Sequence, residues 1–252
     1  MADLARLSRA ELEARAAEGR RAVACAAALA AQGGVLAVAL EGAVPCVDWQ
    51  HYPAGDVFDA ETHAQFFYHA HPPGERGAAE HGHFHTFLRA RGMPPGVRPL
   101  VLPELAIAGT PAAPAAPSAP QPHAGEDGEW CHLVAIAMDV AGRPIRLFTT
   151  NRWVTGETWY RASDVAAMLG RFALGTVGPA PLLNRWIAAM IGFYRPQIEA
   201  LAAARDEAVM GWRRRRRGKV HVFEDRRLEV TSALDIALED ELAAIEAALA
   251  AS

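Results

Sequence analysis

The clearest strand pattern lies in the second half of the chain. Residues 132–138 and 145–150 are rich in apolar side chains, and they flank an Ala-Gly-Arg-Pro sequence at 141–144 that is typical of a turn. We therefore predict that the two segments pair as a β-hairpin.

Helical patterns precede and follow this hairpin. Residues 9–32 are rich in alanine, follow a Ser-x-x-Glu capping box that begins at Ser8, and end at a Gly-Gly pair. Residues 181–212 carry apolar side chains at helical spacing, and Pro196 should kink or split that helix. Further helices are predicted from Asp59 to about Phe67, from Ser163 to about Phe172, and from Ser232 and Asp235 to about Leu249, with a short strand pair at 220–223 and 228–230. These elements predict an α+β fold in which a small antiparallel sheet packs against several helices.

One segment is unsuited to a core. Residues 109–127 contain five prolines among alanine and serine, and they include no large apolar side chain. This composition is typical of a flexible loop or linker. We expect a single domain over residues 1–252, with this Ala/Pro-rich segment as a long loop within it.

Composition limits the classes of function. The chain has 252 residues, of which 51% are hydrophobic and 21% charged, which is ordinary for a globular protein. Its formal net charge of -4 argues against nucleic acid as a partner, because nucleic-acid binding usually requires a basic surface.

The cysteines and the N-terminal segment bear on location. The three cysteines are widely spaced and form no Cys-x-x-Cys pair, so we predict neither a disulfide framework nor a thiolate zinc site. Arg20 and Arg21 before an apolar stretch resemble a twin-arginine export signal. However, acidic residues precede them, and Gly33 and Gly34 interrupt the apolar run before it could span a bilayer. We expect a cytoplasmic protein without membrane association.

Histidines are concentrated in one part of the chain. Seven of the ten lie between His51 and His85, and the block Glu-His-Gly-His-Phe-His occupies residues 80–85. Imidazoles held close together repel one another when protonated and need polar partners when buried. Because neutral imidazole is a common ligand of transition metals, this concentration indicates a metal site.

Strand geometry predicts which imidazoles converge. Alternate side chains of a strand share one face, and the Pro- and Gly-rich segment between the two histidine runs favours a chain reversal. Antiparallel pairing of the runs would bring five imidazoles to one surface, those of His69, His71, His81, His83 and His85. Such a set suits zinc, copper, iron or nickel better than calcium or magnesium.

Other polar side chains near these runs are candidates for supporting roles. Glu75 and Glu80 could complete or support the ligand set, or act as a general base. Tyr68, Tyr52 and His51 could supply a further ligand or a proton donor. Two alternatives to a metal site stay open: hydrogen-bonded histidines with a structural or substrate-binding role, and a solvated loop. Aromatic neighbours of the runs favour burial and therefore a need for partners.

The same residues resemble a known family. The His-Tyr-Pro sequence at 51–53, the Gln65-to-His71 run and the block at 80–85 are similar to an uncharacterised bacterial domain family whose members carry a Glu-His-Gly-His-Phe-His block. The resemblance covers most of the chain outside residues 109–127. It implies no known activity and assigns no catalytic residue.

Two other segments contain candidate functional residues. Trp153, Trp159 and Tyr160 could wall a pocket in which Arg152 holds an anionic substrate, or they could fill a well-packed turn.

The five arginines at 213–217 are typical of a solvated, salt-bridged helix end, because no other basic cluster or aromatic platform accompanies them. Neither a Gly-x-Ser-x-Gly elbow nor a His-Glu-x-x-His motif occurs in the sequence.

These features favour a metal-dependent enzyme that acts on a small organic molecule. The cluster contains more histidines than carboxylates, and aromatic side chains surround it. For this reason we favour an iron or copper oxidoreductase. A zinc-dependent hydrolase or lyase and a non-catalytic metal- or haem-binding or sensing protein are the alternatives. A scaffold that binds partners through the arginine run and the proline-rich segment is a third class. The substrate, the metal and the oligomeric state stay open.

Overall fold

A six-stranded antiparallel sheet organises the fold. The computed structural model describes residues 7–43, 45–72, 74–75, 77–102, 129–216 and 221–251. The strands are β1 (Tyr52–Phe58), β2 (Ala64–His69), β3 (Glu80–Arg89), β4 (Trp130–Asp139), β5 (Pro144–Thr150) and β6 (Val230–Asp235). Their order in the sheet follows their order in the chain, so each strand pairs with the next one.

Seven α-helices accompany the sheet in the described part of the chain. They are α1 (Arg9–Ala30), α2 (Val35–Ala39), α3 (Arg152–Thr155), α4 (Ala162–Leu169), α5 (Pro181–Phe193), α6 (Arg195–Arg216) and α7 (Leu238–Ala251). None of these helices combines the length and the apolar character that crossing a membrane would require.

The two faces of the sheet have different roles. On one face, Phe84 and Leu88 of β3 belong to the main apolar core, and the Phe84 ring lies 5.7 Å from the ring of Trp186 in α5. Alternate residues of β3, including His83 and His85, occupy the opposite face. One face of the sheet therefore packs against helices, while the other carries the histidines.

Among the register shifts of the sheet, two β-bulges between β3 and β4 interrupt the alternation of side chains beside the histidines. In β3 the step from Glu80 to Gly82 opposes a single step in β4, which leaves His81 as an extra residue. In β4 the step from Val134 to His132 opposes the single step from Thr86 to Phe87, which leaves Leu133 extra. A bulge changes the face to which the residues beyond it point.

The predicted α+β class is confirmed, as are several of its elements. Helix α1 begins at the predicted capping box, in which Ser8 and Glu11 each bond the backbone of the other. Strands β4 and β5 form the predicted hairpin. The long C-terminal helical segment is split as expected, since Tyr194 separates α5 from α6 just before Pro196.

The predicted helix from Asp59 is wrong. The Asp59 carboxylate accepts hydrogen bonds from the backbone N–H groups of Glu61 and Thr62, at 2.9 and 3.1 Å. Thus it closes a turn in which His63 adopts a left-handed φ of 60°, and β2 begins at Ala64. The residue types that start a helix also form tight turns, and here the strand pairing that follows decides between them.

Three other predictions about the chain's elements have different outcomes. The predicted strand pair at 220–223 and 228–230 is wrong, because residues 222–224 form a 3₁₀ turn and β6 pairs with β5 instead. The last helix starts later than expected because residues 230–235 belong to β6. The predicted loop at 109–127 lies outside the described residues.

Replacing Trp186 tests the core on the helical side of the sheet. Its side chain is fully buried, so we expect Trp186→Ala to lower the free energy of unfolding by about 3–5 kcal/mol, through lost burial and the cavity left behind. Urea unfolding measures this change. Val140→Ala, at a residue that is 80% exposed, serves as the control and should change stability by no more than about 0.5 kcal/mol. Equal effects of the two substitutions would contradict this account of the core.

Candidate functional site

Three imidazoles converge on the sheet face opposite the main helical core. His69 of β2 lies directly across from His83 of β3, and His85 follows on the same face of β3. All three side chains are buried. Each ring offers one nitrogen such that these atoms lie within 4.8 Å of one another, close enough to hold one metal ion.

Hydrogen bonds engage the outer nitrogens of two of these rings. Nδ1 of His83 lies 2.6 Å from Oε1 of Glu80, and Nδ1 of His85 lies 3.0 Å from Nε2 of His132. A proton on Nδ1 of each ring would satisfy both contacts and leave an Nε2 lone pair available. Fixing the tautomer of an imidazole through its second nitrogen is how proteins commonly orient a metal-ligating histidine.

The third imidazole, His69, lies in a set of contacts that one proton cannot satisfy. Its Nε2 atom lies 2.8 Å from Nε2 of His83 and 3.3 Å from Nε2 of His71. If the His69 nitrogen donates to one neighbour, it has no lone pair left to accept from the other. Its Nδ1 atom is buried without a hydrogen-bond partner among the described residues. Nitrogens grouped in this way match the ligand shell of a shared cation better than a hydrogen-bond network.

Burial favours the neutral form of two candidate ligands, His69 and His85. It lowers the pKa of His69 and of His85 well below the usual value, and neighbouring histidines lower both further. The pKa of His132 falls to about 3, because of burial first and then the charge of Arg205. Neutral imidazole is the form that binds metals, so the rings are poised for ligation near neutral pH. The solvated-loop alternative is wrong for His69, His83 and His85, because all three are buried.

The structure brings four of the five predicted histidines together. His71 joins the group at its partly exposed edge, where its ring centroid lies 4.0 Å from that of Trp49. His81 does not join it: the bulge in β3 turns its ring to the other face, where Nδ1 lies 2.6 Å from the Tyr68 hydroxyl. Gly82 permits this arrangement, because an added Cβ would lie 2.6 Å from the same hydroxyl.

The three predicted catalytic side chains have different surroundings. Glu80 contacts His83, so it is placed to orient that ring. Glu75 is exposed and lines the cavity beside the histidines. Tyr68 is fully buried among core side chains on the opposite face, so the structure does not bring it to this site.

Sequence reasoning missed His132 on this face and named His51 only as a possible further ligand or proton donor. His132 reaches His85 because the bulge at Leu133 reverses its direction, and simple alternation from the hairpin cannot show this. His51 stacks on Phe67 with ring centroids 3.5 Å apart, and its Nδ1 lies 2.9 Å from Oδ1 of Asp56. His51 comes from the loop before β1, so only the abundance of histidine in this region pointed to it.

A cavity of about 240 Å³ adjoins the three imidazoles. Its aromatic lining comprises Trp49, Phe67, Phe87, Trp130, Phe148 and Trp153. Its polar lining includes Asp56, Gln65, Glu75, Thr150, Thr155, Arg226 and Glu229. The space is concave, mostly apolar and bordered by a few polar groups, as small-molecule sites usually are.

One of the four predicted substrate-binding residues lines this cavity. Trp153 does, whereas Arg152 pairs with Glu224. Trp159 stacks on Phe223 in a separate apolar cluster, and Tyr160 is part of the main core. The predicted common pocket of these residues is therefore wrong, because α3 directs only part of the segment toward the histidines.

The described part of the arginine run ends helix α6. Arg215 and Arg216 lie against the Trp212 ring, and Nε of Arg216 is 3.9 Å from a carboxylate oxygen of Asp225. These contacts agree with the expected salt-bridged helix end, while Arg217 lies outside the described residues.

Comparisons with known proteins identify a family but no activity. Residues 16–236 match the sequence model of a domain of unknown function, DUF6969. No curated protein and no solved structure matches the chain. The expected resemblance to an uncharacterised domain family is thereby confirmed.

The buried neutral histidines make the metal-free protein sensitive to acid. His69, His85 and His132 have lowered pKa values in the folded chain, whereas they titrate near 6.5 when unfolded. Below that pH the unfolded chain takes up protons that the folded chain does not, so folding stability falls. We expect a loss on the order of 1 kcal/mol per pH unit for each histidine, measured by urea unfolding from pH 7.5 to pH 5 in the presence of a chelator. His85→Leu should reduce the slope, and a profile that is flat below pH 6.5 would contradict the prediction.

Glu80 and Glu75 have distinguishable roles. We expect Glu80→Gln to weaken metal binding by about 10- to 100-fold, because the amide carries no charge and holds the His83 tautomer less firmly. Competition with a chromophoric chelator measures the affinity. Glu75→Gln is the matched control, and it should leave the affinity nearly unchanged because that carboxylate is exposed. Similar affinities of the two variants would refute the orienting role of Glu80.

Proposed function

The chain belongs to the DUF6969 family of domains of unknown function, and we propose that it is a transition-metal-dependent enzyme that acts on a small organic molecule. His69, His83 and His85 are the proposed metal ligands, and His71 lies beside them, with its Nε2 atom 3.3 Å from Nε2 of His69. The proposed substrate occupies the adjoining cavity.

The observation that carries this proposal is the position of three converging imidazoles in a cavity wall. All three line the cavity of about 240 Å³, which lies between the sheet and residues of α3 and of the loop around Trp49. Structural metal sites are usually closed by four protein ligands, whereas catalytic sites have three and keep a position open for water or substrate. The arrangement therefore favours an enzyme over a non-catalytic binding or sensing protein, which we would expect to enclose its metal.

The surroundings favour redox chemistry over hydrolysis. A bound transition metal supplies either redox chemistry or Lewis-acid activation at its open position. The ligand group contains imidazoles alone, and aromatic rings form much of the cavity wall. The buried carboxylate of Asp56 is engaged by His51 and Gln65 and so is poorly placed as a general base. We therefore favour an iron or copper oxidoreductase.

A zinc-dependent hydrolase or lyase is the second candidate. A three-histidine site with an open position is also an established zinc arrangement in hydration and hydrolysis. The exposed carboxylates of Glu75 and Glu229 border the cavity and could accept protons there. The identity of the bound metal separates the two candidates.

The cysteines support the proposed cytoplasmic location. Cys25, Cys46 and Cys131 are all free thiols, and two of them are buried. Unpaired cysteines are typical of a reducing compartment.

Metal content of the untagged protein tests the proposal. We expect about one equivalent of iron, copper or zinc by elemental mass spectrometry, because three buried imidazoles converge. The double variant His83→Ala/His85→Ala should lose the metal. His81→Ala, a histidine of the same strand on the other face, should retain it.

Circular dichroism of each variant establishes whether it is folded. The proposal fails if the folded wild-type chain contains no metal and takes up none on reconstitution. It also fails if His81→Ala and the double variant lose metal equally while both stay folded.

A further inference from the structure

The cavity carries information about the substrate class. We infer that it binds a single-ring aromatic compound with an uncharged hydrogen-bonding substituent, of the phenol class. This inference rests on the proposed function, because it takes the cavity beside the histidines as the substrate site.

Size and shape point to one aromatic ring. The cavity measures about 240 Å³, and a cavity of roughly 150 Å³ is known to hold benzene. A substituted single ring therefore fits, whereas a molecule of three or more fused rings would need the walls to move. Phe148 and Trp153 approach the space from β5 and α3, and Phe67 and Phe87 approach it from the strands that carry the histidines. Aromatic walls favour a flat apolar ligand through stacked and edge-to-face contacts.

Two threonine hydroxyls indicate where a polar substituent would bind. Thr150 and Thr155 line the cavity with exposed fractions of 2% and 8%. Neither hydroxyl has a hydrogen-bond partner in the described part of the chain. Buried hydroxyls are almost always paired, so these two unpaired hydroxyls of cavity-lining residues lack a partner that a ligand would supply if either side chain turns toward it. A hydroxyl can donate to a ligand oxygen and accept from a ligand O–H, which suits a phenol.

Charges at the mouth argue against an anionic ligand. Arg226 borders the cavity, and its guanidinium lies 5.2 Å from the centre of the Trp153 ring. The carboxylates of Glu75 and Glu229 border the same space, so charges of both signs surround it. The two glutamates would repel a carboxylate ligand, whereas an uncharged substituent would not be repelled.

Isothermal titration calorimetry of the whole untagged chain tests the inference, with phenol, toluene and benzoate as probes. We expect phenol to bind, and Thr150→Val and Thr155→Val each to weaken phenol binding by roughly 3- to 10-fold through the lost hydrogen bond. Toluene has no hydroxyl, so its affinity should not change in either variant. Thr149→Val is the matched control on β5, because the Thr149 hydroxyl faces Thr231 and Ser232 and does not line the cavity.

Stability provides a second readout. Because the two cavity hydroxyls lack partners in the ligand-free chain, Thr150→Val and Thr155→Val should leave its unfolding midpoint in urea unchanged or raise it. Weaker phenol binding without loss of stability would support a ligand-binding role for these hydroxyls. A fall in phenol and toluene affinity together would overturn it.

Each titration is run on metal-free and metal-loaded protein, which separates this inference from the proposed function. Absence of phenol binding to both forms would overturn the substrate class even if the metal content is as expected. Benzoate that binds more than tenfold tighter than phenol would overturn the uncharged class. Phenol binding with the expected threonine effects would support the inference even in a chain that takes up no metal.

Discussion

The pairing register of β2 with β3 is the constraint on which the candidate site depends. It places His69 opposite His83 and Phe67 opposite His85, so two imidazoles from different strands meet at a distance set by the ladder. If β2 slipped by one residue, its faces would be exchanged, so Phe66 would point away from the helices and His69 toward them. The apolar residues of these two strands, which pack against the helices, thereby specify the position of the imidazoles behind them.

Burying this many imidazoles is costly unless each nitrogen has a use. Glu80 and His132 engage the outer nitrogens of His83 and His85, which fixes both rings from behind. Among the described residues, Nδ1 of His69 has no comparable contact, and its Nε2 faces two neighbouring nitrogens at once. A cation shared by these inner nitrogens removes the conflict, since each lone pair then points to a positive charge. In the absence of a metal, we expect acid to weaken the fold, because the unfolded histidines are free to protonate.

Alternation along a strand predicts much of this site from sequence, and bulges account for most of what it misses. Spacing by two residues correctly groups His83 with His85 and His69 with His71. The same rule fails at His81 and cannot anticipate His132, because each is affected by one extra residue in a strand. Bulges depend on how two strands pair, and neither strand alone encodes that pairing. The residues that close the cavity over the histidines could not be predicted from the sequence either. They come from α3 and from the loop around Trp49, which are separate parts of the chain.

Small side chains on β4 allow an aromatic residue of the cavity wall to contact the candidate ligands. Ala137 and Ala135 lie across from His83 and His85, and Phe148 lies across from Ala135 on the next strand. Because the two alanines project so little, the Phe148 ring can lean over them to within 5.0 Å of the His83 ring centre. The cavity wall therefore contacts the candidate ligands directly, and a larger residue at either alanine would separate the two. The sheet thus sets the distance from the imidazoles to the aromatic wall by side-chain size, just as it sets the distances among the imidazoles by register.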